Sequence, residues 1–288
     1  MGLSWQQGPL GSGAVGRFLV AQPLPERLLF AERLRRRLRV QFSGEWIADS
    51  EDVVLLHVPG RYPVAYFNKS DIREGVLTST ERITTDKDLG QTRWYEVRVA
   101  DAKASRAAWE HIDLPEYASE LKGRVAFAWR AMDGFFEEDE RILGHAADPY
   151  HRIDIRRSSR LLEVKKDGVV IASSRRPQVL FESGFAPRWY VPRDDVNQEH
   201  LTPAEGQTFC PYKGLASYYD INGAEGAAWY YPEAYEEVAR IRDWLSFEPD
   251  KVEVYLDGTQ LQLESGQTVI PHGVDRGLDA NEVVMRRH

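Results

Sequence analysis

The 288-residue chain repeats itself. Shifted by 124 positions, Leu38 and Val40 fall on Leu162 and Val164, Gly44 on Gly168, Ile47-Ala48 on Ile171-Ala172 and Ser50 on Ser174. The register continues without a gap through Leu56 and Leu180, Pro63 and Pro187, Tyr66 and Tyr190, and Asp71 and Asp195, to Gly90 and Tyr95 on Gly214 and Tyr219. About three positions in ten are identical over this stretch, which means one structural plan used twice. After Tyr95 the second copy is four residues shorter, so Ala107-Ala108-Trp109 meets Ala227-Ala228-Trp229. Length alone argues two domains, since one would be unusually long, and the repeat makes them two copies of one fold. The expected organisation is an extended arm over 1–33, a first repeat over 34–140, a bridge over 141–157, a second repeat over 158–263 and a tail over 264–288.

Each copy reads mainly as strands. Leu38 to Phe42, a turn at Ser43-Gly44 and a second run from Trp46 form a β-hairpin pattern, and Leu162 to Ile171 repeats it around Lys166-Asp167-Gly168. Val53 to Val58, Val64 to Phe67, Val179 to Glu182 and Arg188 to Val191 are short apolar runs bounded by Gly or Pro. After Trp229, Pro232 can open a helical turn, and Ala234, Val238, Ile241 and Leu245 recur at an amphipathic period; Pro115, Leu121 and Val125 are their counterparts. A last hairpin turns at Asp257-Gly258. The fold class expected is mainly β with a short helix per repeat, arranged as two tandem antiparallel β-tent or small-barrel domains.

Charge and cysteine count narrow the functions. With 37 Lys plus Arg against 45 Asp plus Glu, the net charge of −8 argues against a nucleic-acid partner. A single cysteine, Cys210, excludes an intrachain disulfide and a cysteine-rich zinc site and fits a reducing compartment, so a cytoplasmic location is expected. No apolar run approaches a transmembrane length, and no membrane partner is expected. No cofactor and no metal site is assigned. Gly11-Ser12-Gly13-Ala14-Val15-Gly16 has dinucleotide-loop spacing but follows Pro9 and opens no βαβ unit, so it reads as part of the arm. His145, Asp148, His151 and Asp154 lie close together without a recognised ligand spacing and read as bridge hydrogen bonding. The acidic run Glu137 to Glu140 reads as a solvated turn. Hydrolase elbow, zincin and Walker patterns are absent.

One segment carries chemistry. In Thr208-Phe209-Cys210-Pro211-Tyr212-Lys213-Gly214 a thiol stands three residues from an ammonium, and Pro211 and Gly214 mark a turn between strands. A nearby cation can lower a thiol pKa, making Cys210 a candidate nucleophile and Lys213 its partner or an acid; the alternative is a buried apolar cysteine and a snorkelling lysine. The first copy has Asp86, Asp88 and Leu89 where the second has Cys210, Tyr212 and Lys213, so a site is expected in the second repeat. Arg188, Trp189, Tyr190, Arg193, Tyr218 and Trp229 are candidates to line its pocket.

The segment Cys210 to Gly214, with Ala216-Ser217-Tyr218-Tyr219, Arg188-Trp189-Tyr190 before it and Ala227-Ala228-Trp229 after it, resembles the family of domains of unknown function numbered 427, also labelled a nucleotidyltransferase-type domain. The resemblance covers about 34–140 and 158–263, and Asp148-Pro149-Tyr150-His151-Arg152 looks like the bridge of tandem members. It implies a compact antiparallel β domain with a short helix, and marks Cys210, Tyr212, Lys213, Gly214 and Trp229 as motif positions. Nucleotidyl transfer needs paired strand carboxylates for Mg²⁺ and a phosphate-binding Gly-Ser turn; neither is visible. The expected function is small-molecule binding in the second repeat, with Cys210 and Lys213 as candidate catalytic residues and Arg188, Tyr190, Tyr212, Gly214, Tyr218 and Trp229 as candidate ligand contacts. A cysteine-dependent enzyme and a structural or partner-binding protein are the alternatives.

Overall fold

The computed structural model describes Leu19 and residues 28–58, 61–183 and 185–262. The glycine-rich loop at Gly11 to Gly16 and the tail lie outside the described residues, as does nearly all of the arm. Two compact units divide between Asp148 and Pro149.

The strands of the first unit are β1 (Phe30–Leu34), β2 (Leu38–Phe42), β3 (Glu45–Ser50), β4 (Val53–His57), β5 (Val64–Asn68), β6 (Leu77–Asp86), β7 (Gly90–Val99), β8 (Ala102–His111), β9 (Arg124–Phe127), β10 (Gly134–Glu137) and β11 (Glu140–Ile142). They form a seven-stranded sheet in the order β1-β4-β5-β9-β8-β7-β6 and a four-stranded sheet in the order β11-β10-β2-β3, antiparallel throughout. The second unit repeats the plan with β12 (Ile153–Arg157), β13 (Leu162–Lys166), β14 (Val169–Ser174), β15 (Gln178–Glu182), β16 (Arg188–Val191), β17 (Leu201–Cys210), β18 (Gly214–Ile221), β19 (Ala224–Tyr230), β20 (Leu245–Phe247), β21 (Glu253–Leu256) and β22 (Thr259–Gln260). Its sheets run β12-β15-β16-β20-β19-β18-β17 and β14-β13-β21-β22. The mainly β, two-copy expectation holds, and each copy is an open pair of sheets rather than a closed barrel.

Local chemistry explains the hairpins. Ser43 and Gly44, Asp167 and Gly168, and Asp257 and Gly258 all have positive φ at both positions, the backbone that a two-residue turn needs to match the twist of its strands. The large sheet of each unit is covered on both faces. One face packs on the small sheet, through Val40, Ile47, Phe67, Phe127 and Phe135 in the first unit and Val164, Ile171, Val191, Phe247 and Val254 in the second. The other carries Tyr66, Trp94 and Trp109, or Tyr190 and Trp229, beneath a short helical segment. Double coverage is why β4 is apolar at nearly every position and buried at all five, instead of alternating.

Three expectations need correction. The helical period after Trp229 extends only over Glu236–Ile241, as 3-10 turns interrupted at Val238, with Glu116–Leu121 as its counterpart. Val238 and Ile241 are buried as the period implies, but Asp243 at φ 61° ends the segment and Leu245 belongs to β20. The apolar spacing joined two elements that pack on opposite faces of the large sheet. The bridge over 141–157 and the start of the first repeat at residue 34 also give way to structure. Strand β1 pairs with β4, and β12 pairs with β15 through Ile155 opposite Leu180, so each copy begins with an edge strand. Their alternation is too short and too interrupted by Arg to stand out in sequence. Among the described residues no helix is long and apolar enough to cross a membrane.

Gly90 and Gly214, aligned in the two copies, show what the tip of the long hairpin requires. Their φ values are 73° and 102°, and an added Cβ would stand 1.8 Å from the carbonyl oxygen of Asp113 and 2.8 Å from that of Glu233. Backbone cannot yield as a flexible side chain does. Gly44, with φ 77° and nothing within 4 Å of an added Cβ, has only the conformational cost. Chemical denaturation is expected to show Gly90→Ala destabilising its domain by about 3 kcal/mol or more and Gly44→Ala by about 1 kcal/mol; equal effects would show that the tip is not held against the backbone at Asp113.

Candidate functional site

The second domain's site grows from the β17–β18 hairpin. Cys210 pairs with Gly214 across the turn Pro211-Tyr212-Lys213, and the Lys213 N–H donates to the Cys210 carbonyl at 3.2 Å. The Tyr235 N–H donates to the Lys213 carbonyl at 3.2 Å, tying the tip to the segment that precedes the 3-10 turns. Lys213 is thereby directed inward, and its side chain is 3% exposed.

Its partner is Glu182, at the end of β15, four positions away from β18 in the sheet order. The ammonium donates to Glu182 Oε2, while His151 Nε2 lies 2.9 Å from Oε1. His151 is buried too, and its ring stacks on Tyr212 with centroids 3.9 Å apart and planes at 18°. Burial alone would push the Glu182 carboxyl up, but Lys213 and His151 outweigh it and hold it well below the carboxylate range. Burial opposes the charge on Lys213 as well, yet Cys210, Glu182 and Tyr190 together hold the ammonium firmly protonated. Lys213 thus acts on the Cys210 thiol beside it, while its hydrogen bond goes to Glu182, which the sequence reading did not include.

Tyr190, Trp229, Tyr218 and Cys210 pack in one cluster on this face. Trp229 Nε1 donates to the Tyr190 hydroxyl at 3.2 Å, and burial raises that phenol to about 12. Tyr218 OH and Thr208 Oγ1 are 2.5 Å apart. Arg188 lies over the Trp229 ring at 5.5 Å and pairs with Glu248 at 3.4 Å. Burial pushes the Cys210 thiol up, against the pull of Lys213. The backbone N–H groups of Tyr212 and Lys213 also pull the thiol down, by less than burial raises it. In the first domain the aligned residue, Asp86, caps the turn: its Oδ1 accepts from the N–H groups of Asp88 at 2.8 Å and Leu89 at 3.0 Å. The thiol therefore stands where a turn-capping carboxylate stands in the other copy.

The other candidates separate. Arg193 donates to Tyr219 OH at 3.0 Å and covers the Tyr230 ring at 4.3 Å, and Tyr219 and Trp189 pack with the core between the sheets, away from Tyr190. Gly214 supplies backbone freedom, and Tyr212 orients His151. His145, His151 and Asp154 have separate partners: His145 stacks on Tyr62, His151 holds Glu182, and Asp154 pairs with Arg152 and Arg156. No metal-holding group of three such side chains occurs among the described residues. In the acidic turn, Glu137 pairs with Arg36 and Asp139 with Arg39.

Two domains with one strand order and one hairpin tip are now in view. A protein-family model described as a domain of unknown function, DUF427, matches residues 30–138 and again 154–258. The chain is a tandem member of the DUF427 family. No curated protein matches it.

The two DUF427 domains differ in what lies under the tip. In place of Lys213 and Glu182 the first has Leu89 and Val58, both buried. In place of Tyr231 it has His111, with Tyr66 OH 2.9 Å from Nε2 and Thr92 Oγ1 3.0 Å from Nδ1. Sequence reasoning missed Glu182 because nothing marks a carboxylate at a strand end as a partner for a residue 31 positions away. Setting it against Val58 in the other copy was the one available signal.

Removing one member of a buried pair leaves an uncompensated charge, whereas replacing both with apolar groups costs little. Lys213→Met is expected to destabilise the second domain by about 4 kcal/mol, and Lys213→Leu with Glu182→Val, the first domain's own pair, to recover most of that in urea denaturation. Additive losses would refute a paired role. In the first domain, burial lowers His111 to about 4 from 6.5, so the native ring stays neutral where the unfolded one takes up a proton. Stability is then full above the unfolded pKa and falls with pH from about 6.5 to 4, by about 3 kcal/mol in all. Denaturation midpoints at stepped pH, compared with His111→Gln, check the sign and the window.

Proposed function

We propose that the second DUF427 domain is a small-molecule binding module whose site is the covered face of its large sheet around Lys213 and Cys210, with Tyr190, Tyr218, Trp229 and Arg188 as its walls. The observation that carries this reading is the buried Lys213–Glu182–His151 group, which occupies positions filled by Leu89 and Val58 at the first two members in the first domain. Apolar residues satisfy the same fold, and buried charges are an expensive way to fill a core. Positions that depart from packing needs in one copy of a duplicated fold are where function is expected.

Binding is favoured over cysteine catalysis by the state of Cys210. Its thiol is raised by burial, which disfavours the thiolate a nucleophile needs, and the aligned position in the first domain is the turn-capping Asp86. The negative net charge and the single thiol support a partner other than nucleic acid and a cytoplasmic setting.

A thermal-shift screen of the full chain against common metabolites tests the reading. A ligand at a hundredfold excess over its Kd stabilises by about 2.7 kcal/mol, and the shift is expected to persist in Cys210→Ser, with iodoacetamide alkylating Cys210 more slowly than free glutathione. No shift across the panel counts against a binding module. Fast alkylation together with loss of the shift in Cys210→Ser would favour the nucleophilic enzyme.

A further inference from the structure

Among the described residues, three buried side-chain polar atoms of the second domain have no hydrogen-bond partner: Gln178 Oε1, Tyr231 OH and Ser246 Oγ. They are not scattered. Gln178 is opposite Tyr190, Tyr190 opposite Ser246, and Ser246 opposite Trp229, so Gln178 and Ser246 flank Tyr190 on adjoining strands and face the same way. Tyr231 follows two residues after Trp229 and packs in the same cluster as Tyr190 and Trp229.

The first domain shows that the fold does not require these groups. Its Tyr66 is flanked in the same register by Val54 and Ala126. His111, where Tyr231 stands, has both ring nitrogens bonded, one of them to Thr92. In the second domain Ala216 replaces Thr92, and with it goes the hydroxyl that would meet Tyr231. A buried hydroxyl or amide oxygen without a partner is costly, and three on one sheet face call for something that satisfies them.

The charges around the row restrict what that is. Lys213 is held by Glu182, Glu182 also by His151, and Arg188 by Glu248. An anion would have to draw Lys213 away and strand a buried carboxylate. We infer that Gln178, Tyr231 and Ser246 form a subsite for a small uncharged molecule of the carboxamide class. Its N–H donates to Gln178 Oε1, its carbonyl accepts from the Tyr231 and Ser246 hydroxyls, and an attached ring lies against Tyr190 and Trp229. This deepens the binding reading above and rests on it.

Saturation-transfer NMR on the full chain, with benzamide and nicotinamide set against benzoate and nicotinate, tests the assignment. The amides are expected to bind and the carboxylates not to. Ser246→Ala and Tyr231→Phe are each expected to weaken amide binding about fivefold, the loss of one hydrogen bond, while the unliganded variants melt at or above the wild-type temperature. Equal or better binding of the carboxylates, or amide binding indifferent to both variants, overturns the subsite and leaves a binding module standing. A clear drop in the melting temperature of unliganded Ser246→Ala overturns it too, because the hydroxyl would then be satisfied by ordered water. Silence from all four probes overturns the carboxamide class; the metabolite screen, read separately, then decides whether the domain binds anything.

Discussion

The tip of the long hairpin needs a residue without a side chain, and both domains are organised around that need. At Gly90 and Gly214 the chain turns through positive φ while pressing on the backbone at Asp113 and Glu233. No other residue allows this approach without displacing main chain. Once the tip is closed, the residue just before the glycine is driven under the fold and onto the second face of the large sheet. That position is buried in both copies, as Leu89 and as Lys213. The face it covers holds a tyrosine and a tryptophan joined in the same way, Tyr66 with Trp109 and Tyr190 with Trp229, each at 3.2 Å.

What the closed tip encloses follows from the identity of that one residue. Leucine needs only apolar neighbours, and Val58 and Leu121 suit it. An ammonium in the same place needs a carboxylate, and a carboxylate at that depth needs a second donor, so Lys213 draws in Glu182 and Glu182 draws in His151. The ring of His151 then stacks on Tyr212, from the same turn that delivered the lysine. The contact joins the hairpin tip to the segment that leads into β12. A single exchange under the tip thus accounts for the departures at 151, 182 and 212 together.

Much of this architecture was legible because it depends on local rules that repeat. Paired positive-φ positions at Ser43-Gly44, Asp167-Gly168 and Asp257-Gly258 announce hairpins, and the repeat doubles every signal. The edge strands β1 and β12 were not legible, since their place is set by pairing with β4 and β15 rather than by their own pattern. The helix was overread because Leu245, buried in the core between the sheets while Ile241 is buried on the opposite face, happens to keep the spacing, which a period cannot tell from continuation of one element. At the site, Cys210, Lys213, Tyr190 and Trp229 were found from residue type and self-comparison. Glu182, Gln178, Tyr231 and Ser246 were not, because polar residues in strands carry no mark of which face they occupy until register is known.

Comparison within the chain also separates two kinds of buried polarity. In the first domain Thr92, His111, Tyr66 and Trp109 form a run of hydrogen bonds in which the imidazole, held neutral, uses both nitrogens. Such a network fixes one arrangement of the core and leaves nothing to offer a ligand. The second domain keeps the Trp–Tyr bond and breaks the rest: Ala216 removes the hydroxyl, Tyr231 replaces the imidazole, and Ser246 and Gln178 add oxygens that nothing meets, although the Gln178 amide nitrogen donates to the Arg240 carbonyl. Charges there are fully paired while neutral groups are not. A core under selection for stability alone would show the reverse economy, since an idle hydroxyl is easier to delete than a buried ion pair. That imbalance is the ground on which the proposed subsite is assigned to the uncharged atoms, with the ion pair left to hold the surrounding elements in place.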